Sequence, residues 1–187
     1  MNVPIDISNV TLHTQRTILR PWSLEDLDDF YEYARVDGVG QMAGWLPHES
    51  KETSKMILDD FMSEKKTFAI EYEGKVIGSI GIEEYNEKEL PELDQKRGRE
   101  IGFVLSKAYW GLGLMPEAVR EVIRYLFEEI DLDVIVCAHF IRNQQSARVQ
   151  QKCGFHFIKE TQTKTLCNTV EDEYVNLLWK QEWLERS

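Results

Sequence analysis

The amino-acid sequence predicts an α+β fold, a mixed sheet with helices packed against it, and three observations carry that reading. Residues 67–72 and 76–83 are apolar runs on either side of Glu73-Gly74-Lys75, the pattern of a β-hairpin. Across residues 114–130, Met115, Ala118, Val119, Val122, Ile123, Leu126 and Ile130 recur at three- and four-residue spacing, which is the period of an amphipathic helix. Strand and helix patterns follow one another in the order β-α-α-β-β-β-α-β-α-β-β, so helices are available to cover a single sheet.

Each element has its own local reason. Residues 17–20 read as a strand stopped by Pro21, and Ser23-Leu24-Glu25-Asp26 has the spacing of a capping box that starts a helix. Leu24, Leu27, Phe30, Tyr31 and Ala34 give that helix one apolar face. A second amphipathic helix is expected over residues 49–63, through Met56, Ile57 and Phe61. After the hairpin, residues 86–98 are charged, contain Pro91 and show no period, so they predict a mobile loop. The strand at 99–106 leads into the turn Trp110-Gly111-Leu112-Gly113-Leu114-Met115 and the long helix. Residues 133–140 form a β-branched run, and 143–153 a shorter helix ended by Gly154, where a left-handed residue is commonly needed. Strands at about 155–166 and 169–179 complete the order.

At 187 residues, with 42% hydrophobic and 29% charged side chains, one domain over residues 1–187 is expected. The net charge of -11 argues against a nucleic-acid partner, and an acidic surface favours cationic substrates such as amines or basic peptides. Cys137, Cys153 and Cys167 are widely spaced with no C-x-x-C pair, which predicts reduced thiols and no metal centre. The start Met1-Asn2-Val3-Pro4-Ile5-Asp6 has neither a basic leader nor an apolar run, and no stretch has the length to cross a bilayer. A cytoplasmic protein without a membrane partner is expected. Exposed edges of the terminal strands point to a homodimer.

A strand followed at once by Gly111, Gly113 and a strong helix has the elements of an anion site. Small residues let the backbone approach a ligand, amides at the helix start lack internal partners, and the helix dipole favours negative charge there. Pro116 suits the first turn, where its missing N–H is not needed. The Gly-Lys-Ser/Thr ending of a Walker loop and the third glycine of a dinucleotide fingerprint are both absent, which excludes those two nucleotide sites. Taken alone, the glycine pair also fits a plain tight turn.

The stretch Arg99-Glu100-Ile101-Gly102-Phe103-Val104-Leu105, continued by Tyr109 to Ala118, resembles the acetyl-CoA-binding motif of the GNAT N-acetyltransferase superfamily. Asn143-Gln144-Gln145-Ser146-Ala147-Arg148, running on to Gly154-Phe155, is similar to the family's next motif, beside the pantetheine arm. Thr14 to Trp22 resembles the opening of the branch that acetylates ribosomal-protein N-termini. The resemblance spans roughly residues 14–180. It implies a mostly antiparallel central sheet splayed between the fourth and fifth predicted strands, with acetyl-CoA as cosubstrate in the gap. Phe103, Val104, Trp110, Gly111, Leu112, Gly113, Leu114, Met115, Asn143 and Ser146 are the implied cofactor contacts. Two departures stand out: Met115 would narrow the space above the pyrophosphate, and Gln150 stands where a tyrosine often acts as general acid.

Acyl transfer from a thioester needs a neutral amine, a polarised carbonyl and a way to stabilise the leaving thiolate. The Val104 backbone is implied as the carbonyl's partner. Ser146 is the candidate proton donor to sulfur, against a purely local hydrogen-bonding role, and Asn143 could equally be only an N-cap. Glu100 is the base candidate if burial raises its pKa, and an exposed strand carboxylate otherwise; His139 and water are rivals. An α-amine of pKa ~8 is about a tenth neutral at pH 7 and a lysine only about one part in a few thousand, so a weak base suits a peptide N-terminus. Trp45, with Leu46, Pro47 and the loop 86–97, would line the acceptor side by family analogy, although Trp45 also suits the core. Two functions are therefore carried forward. One is an N-acetyltransferase acting on a protein N-terminal α-amine or a small amine, and the other a catalytically silent acyl-CoA-binding regulatory module.

Overall fold

The computed structural model describes residues 1–186. The strands are β1 (Leu12–His13), β2 (Thr17–Pro21), β3 (Thr67–Tyr72), β4 (Lys75–Glu83), β5 (Gly98–Leu105), β6 (Val134–Phe140), β7 (His156–Lys164) and β8 (Val170–Trp179). The helices are α1 (Leu27–Ala34), α2 (Lys51–Glu64), α3 (Leu114–Glu128), α4 (Gln144–Lys152) and α5 (Lys180–Arg186). They build one eight-stranded sheet in the order β1-β2-β3-β4-β5-β6-β8-β7. Every pairing is antiparallel except β5 with β6, which run parallel.

That parallel pair positions the site. It is joined only at Gly98–Val134, Arg99–Ile135 and Glu100–Val136, although β5 continues to Leu105 and β6 to Phe140. Beyond Glu100 the two strands diverge, each held by its outer neighbour, β4 on one side and β8 on the other. The expected splay is thus present, with Glu100 on its last closed rung.

The two faces have separate cores. α3 lays Ala118, Val119, Val122, Ile123 and Leu126, all 1 % exposed or less, against Ile101, Ile135 and Leu178. At about 1.5–3 kcal/mol for each large aliphatic side chain buried, this stripe is sufficient to fix the helix to the sheet. On the opposite face, α1 and α2 enclose Trp22, Phe30, Leu58, Ala69 and Val76. Strand side chains alternate, so Ile101 and Phe103 point towards α3 while Glu100 points the other way.

Local chemistry explains most boundaries. Glu73 and Gly74 have φ of 50 and 80, the left-handed pair that a two-residue hairpin turn requires. Ser50 caps α2 by accepting from Thr53 N, and Asp26 reaches back to Ser23 N at 2.8 Å. The first predicted helix begins as a 3-10 turn at Leu24–Asp26, and Arg20 holds that turn to the sheet through both Asp26 oxygens and Glu71.

Three features differ from expectation. The segment 86–97 is anchored, because Leu90 (4 % exposed) and Leu93 (0 %) bury beside Tyr85, Val134, Val136 and Val175. Two isolated leucines in a charged stretch make no period, so the pattern gave no sign of them. The chain start ties the segment down further, with the Met1 ammonium donating to Lys96 O at 2.8 Å and the Asn2 amide to Glu87. β1 and α5 are additions, a two-residue strand paired with β2 and a short helix directly after β8.

Candidate active site

A cavity of about 380 Å³ opens where β5 and β6 part. Its walls include Phe103 and Val104 from β5, Trp110, Gly111 and Gly113 from the glycine turn, and Asn143 and Ser146 from the start of α4. Gly111 and Gly113 have φ of 81 and 76, and Gly113 is the N-cap of α3. A Cβ at Gly111 would meet nothing within 4 Å, and one at Gly113 only Arg16 Nη2 at 3.6 Å. The backbone of the turn is therefore open to a ligand at the helix start, where unpaired amides and the dipole favour an anion.

Two hydrophobic side chains of this turn differ in placement. Met115 is 4 % exposed and packs into the α3 core while lining the cavity. Leu112 is 52 % exposed and does not line the cavity. Its contribution is a carbonyl that accepts from Arg16 Nη1 at 3.0 Å.

Arg16 also donates through Nε and its backbone N to the two oxygens of Glu117, each at 2.9 Å, and Thr14 Oγ1 adds a third bond. Burial opposes ionisation of Glu117, but the bonds from Thr14 and Arg16 outweigh it and hold the carboxyl below its ordinary pKa. A carboxylate in the first turn of α3 is thereby charge-compensated. Trp110 Nε1 donates to Leu105 O at 2.9 Å, tying the other end of the turn to β5.

The start of α4 is equally defined. Asn143 Oδ1 accepts from Ser146 N at 3.1 Å and its Nδ2 donates to Met42 O at 3.2 Å, so the side chain caps the helix and binds the 3-10 turn Gly40–Ala43. Ser146 Oγ lies 3.1 Å from Nε2 of Gln150, which is 1 % exposed. Val39, Met42 and Ala43 add a wall that no sequence pattern announced, and Arg142 ties this wall down through Gln41 O while pairing with Glu171 at 3.0 Å.

A second cavity of about 290 Å³ lies beside the closed end of the splay, lined in part by Glu84, Glu89, Glu100, Glu173, Val136 and Lys159. Burial first, then repulsion from Glu173, Glu83 and Glu89, pushes the Glu100 pKa up to about 7. Burial raises Glu173 as well, against a hydrogen bond from Thr161. Glu100 thus stands at the closed end of the splay as a carboxylate that exchanges protons near neutrality.

His139 and Trp45 are brought to neither cavity. His139 Nδ1 lies 2.9 Å from Phe140 O, with its ring edge-on to Tyr174. Trp45 packs on the α1–α2 core with its ring 5.1 Å from His48, so close to Gly40 that a Cβ there would lie 2.2 Å from it. Among the described residues no helix is long and apolar enough to cross a membrane, and no cluster of His, Cys, Asp or Glu is arranged to hold a metal.

The chain is similar to known acetyltransferases. The chain is 28% identical over 153 residues to the uncharacterized N-acetyltransferase p20 of Bacillus licheniformis, covering 78% of this chain and 82% of that one. The crystal structure of ribosomal-protein-S5-alanine acetyltransferase from Vibrio fischeri superposes with a TM-score of 0.70 at 20% identity, over 94% of this chain and 99% of that one. The microcin C7 self-immunity acetyltransferase MccE, solved with acetyl-CoA and AMP, gives a TM-score of 0.72 at 16% identity, over 88% and 93%. The model of the acetyltransferase (GNAT) domain matches residues 16–156, three quarters of the length, and the chain belongs to that family of acetyl-transferring enzymes.

Proposed function

We propose that this acetyltransferase moves the acetyl group of acetyl-CoA to a primary amine, with the donor in the first cavity and the amine arriving from the Glu100 side. The observation that carries the reading is the pair of cavities flanking the end of β5–β6 pairing, one lined by the glycine turn and the other by carboxylates. Bound acetyl-CoA supplies an activated thioester. The open glycine turn suits its pyrophosphate, the parted edge of β5 at Phe103 and Val104 suits the pantetheine arm, and the Val104 backbone is the candidate to polarise the carbonyl.

Glu100 takes a proton from the attacking amine and Ser146 gives one to the departing sulfur. Both groups then exchange protons with water and return to their starting states, so the amine's proton is balanced by the thiol's. A base near pKa 7 is well matched to an α-amine of pKa ~8 and poorly matched to a lysine. The carboxylates of the second cavity complement a cationic acceptor. This supports a protein N-terminus as the first choice, and the Vibrio fischeri neighbour, named for a ribosomal-protein alanine, is consistent with it.

The test is release of CoA thiol from acetyl-CoA, measured across peptides with free Ala or Ser N-termini, the same peptides N-terminally blocked, and spermidine. Turnover on free N-termini that is lost on blocking supports the reading. Tight CoA binding with no release on any acceptor would overturn it in favour of an acyl-CoA-binding regulatory module.

A further inference from the structure

Gln150 poses a question that packing alone does not answer. It occupies a position of α4 that is 1 % exposed, where an apolar side chain would bury at no polar cost, and Asn176 beside it is 7 % exposed. A buried amide pair is tolerated when its bonds are made, but replacing both members by apolar groups of similar shape is commonly near neutral. Stability therefore does not demand a Gln–Asn pair here.

The bonds themselves supply an account. Gln150 Nε2 faces Ala138 O at 3.2 Å and Ser146 Oγ at 3.1 Å, while Gln150 Oε1 accepts from Asn176 Nδ2 at 2.6 Å. A backbone carbonyl can only accept, so the atom facing Ala138 must be the amide nitrogen, and the orientation of the amide is fixed. Its second hydrogen then points at Ser146, whose hydroxyl must accept. A serine in the first turns of a helix otherwise commonly turns its proton back onto a carbonyl of the preceding turn. With one lone pair engaged from below by Gln150, the Ser146 proton is directed away from it, towards the first cavity that Ser146 lines. Ala138 sits on β6 and Asn176 on β8, so the relay is anchored on two paired strands.

We infer that Gln150, held by Asn176 and Ala138, is a positioning residue that orients the Ser146 hydroxyl as a donor to the CoA sulfur. The inference rests on the proposed donor cavity and on Ser146 as the group that meets sulfur. It also accounts for an amide at the place where the family resemblance implies a tyrosine acid, since the amide serves the neighbouring serine.

The experiment titrates the thiol of CoA bound to the protein, followed by thiolate absorbance with CoA lacking its sulfur as the blank. A hydroxyl donating to sulfur stabilises the thiolate and lowers its pKa. A hydrogen bond to a charged group is worth about 1.5–3 kcal/mol, so the thiol should titrate about one to two pH units higher in Ser146→Ala. Gln150→Met should reproduce most of that shift, and Gln150→Met/Ser146→Ala should go no further than Ser146→Ala. Because Gln150→Met leaves the Asn176 amide buried without its acceptor, Gln150→Met/Asn176→Leu is measured in parallel. It removes both amides, and the same shift is expected. If Ser146→Ala moves the thiol pKa and both Gln150 variants keep the wild-type value, the relay is overturned while the donor reading stands. If Ser146→Ala itself changes nothing, the assignment of Ser146 to sulfur fails and the relay falls with it.

Discussion

At the scale of single residues, Glu100 couples stability to activity. Its folded-state pKa lies above the ordinary carboxylate value, so its ionisation opposes folding. The associated stability is fully present below the unfolded pKa near 4.5 and is lost as pH rises through about 7. Glu100→Gln removes the ionisation, so the variant should be more stable than the parent at pH 8, on the order of 2 kcal/mol after allowing for its partial exposure, and nearly equal at pH 5. Thermal unfolding at the two pH values checks the sign. If Glu100 is the base, the same variant should lose about 10²–10⁴-fold in kcat, and the rise of the parent's kcat/KM with an apparent pKa near 7 should disappear. Gly113 gives an independent residue-level test. Its φ of 76 is one that Asn and Asp tolerate better than other side chains, and the space above it is open. Gly113→Asn should therefore bind CoA within a few-fold of the parent, whereas Gly113→Asp should weaken binding about tenfold or more by setting a carboxylate against phosphate. Equal affinities by calorimetry would remove this turn as the anion site.

At the scale of elements, the long-range tie from the β1–β2 turn to α3 is the contact on which the glycine turn depends. Arg16 compensates Glu117 and holds Leu112 O, so Arg16→Ala should leave an uncompensated carboxylate in the first turn of an anion-binding helix. CoA affinity should fall about tenfold, and Arg16→Ala/Glu117→Gln should recover most of the loss. A double variant no better than the single one would mean that Arg16 acts only through the Leu112 carbonyl. The same contact marks where sequence reading stops. Periodicity located α3, α4 and the β3–β4 hairpin because each buries one face, and the glycine turn was legible because its conformation requires particular residue types. The Arg16–Glu117 pair, the 3-10 turn at Gly40–Ala43 and the Gln150–Asn176 amides join residues from about 26 to 101 positions apart in the chain. Nothing local to either partner announces such a contact. Leu90 and Leu93 escaped notice for a related reason, since two buried side chains in a polar stretch set no period. Trp45 and His139 show the converse, in that an aromatic ring or an imidazole on a segment near the site is placed by packing, and neither lines a cavity here.

At the scale of the whole molecule, charge is distributed unevenly between the two entrances. The chain carries a net charge of -11, yet Arg142, Arg148 and Lys152 border the first cavity, while Glu84, Glu89, Glu100 and Glu173 border the second. A uniformly acidic surface would repel the phosphates of CoA from every direction and would have no means of sorting donor from acceptor. Segregated charge gives each ligand its own approach, and focusing by the cleft walls raises the encounter rate of the matching sign. Such steering is screened over a Debye length of about 8 Å at physiological ionic strength and about 3 Å at 1 M. Raising salt from about 0.05 to 0.5 M should therefore increase KM for acetyl-CoA and for a cationic acceptor alike, with kcat changing much less. Arg148→Glu should raise the acetyl-CoA KM at low salt and leave the acceptor KM nearly unchanged, because its charge borders only the donor cavity. Glu84→Lys should do the reverse. If both substitutions moved both constants together, the two ligands would share one entrance, and the assignment of donor and acceptor to separate cavities would have to be abandoned.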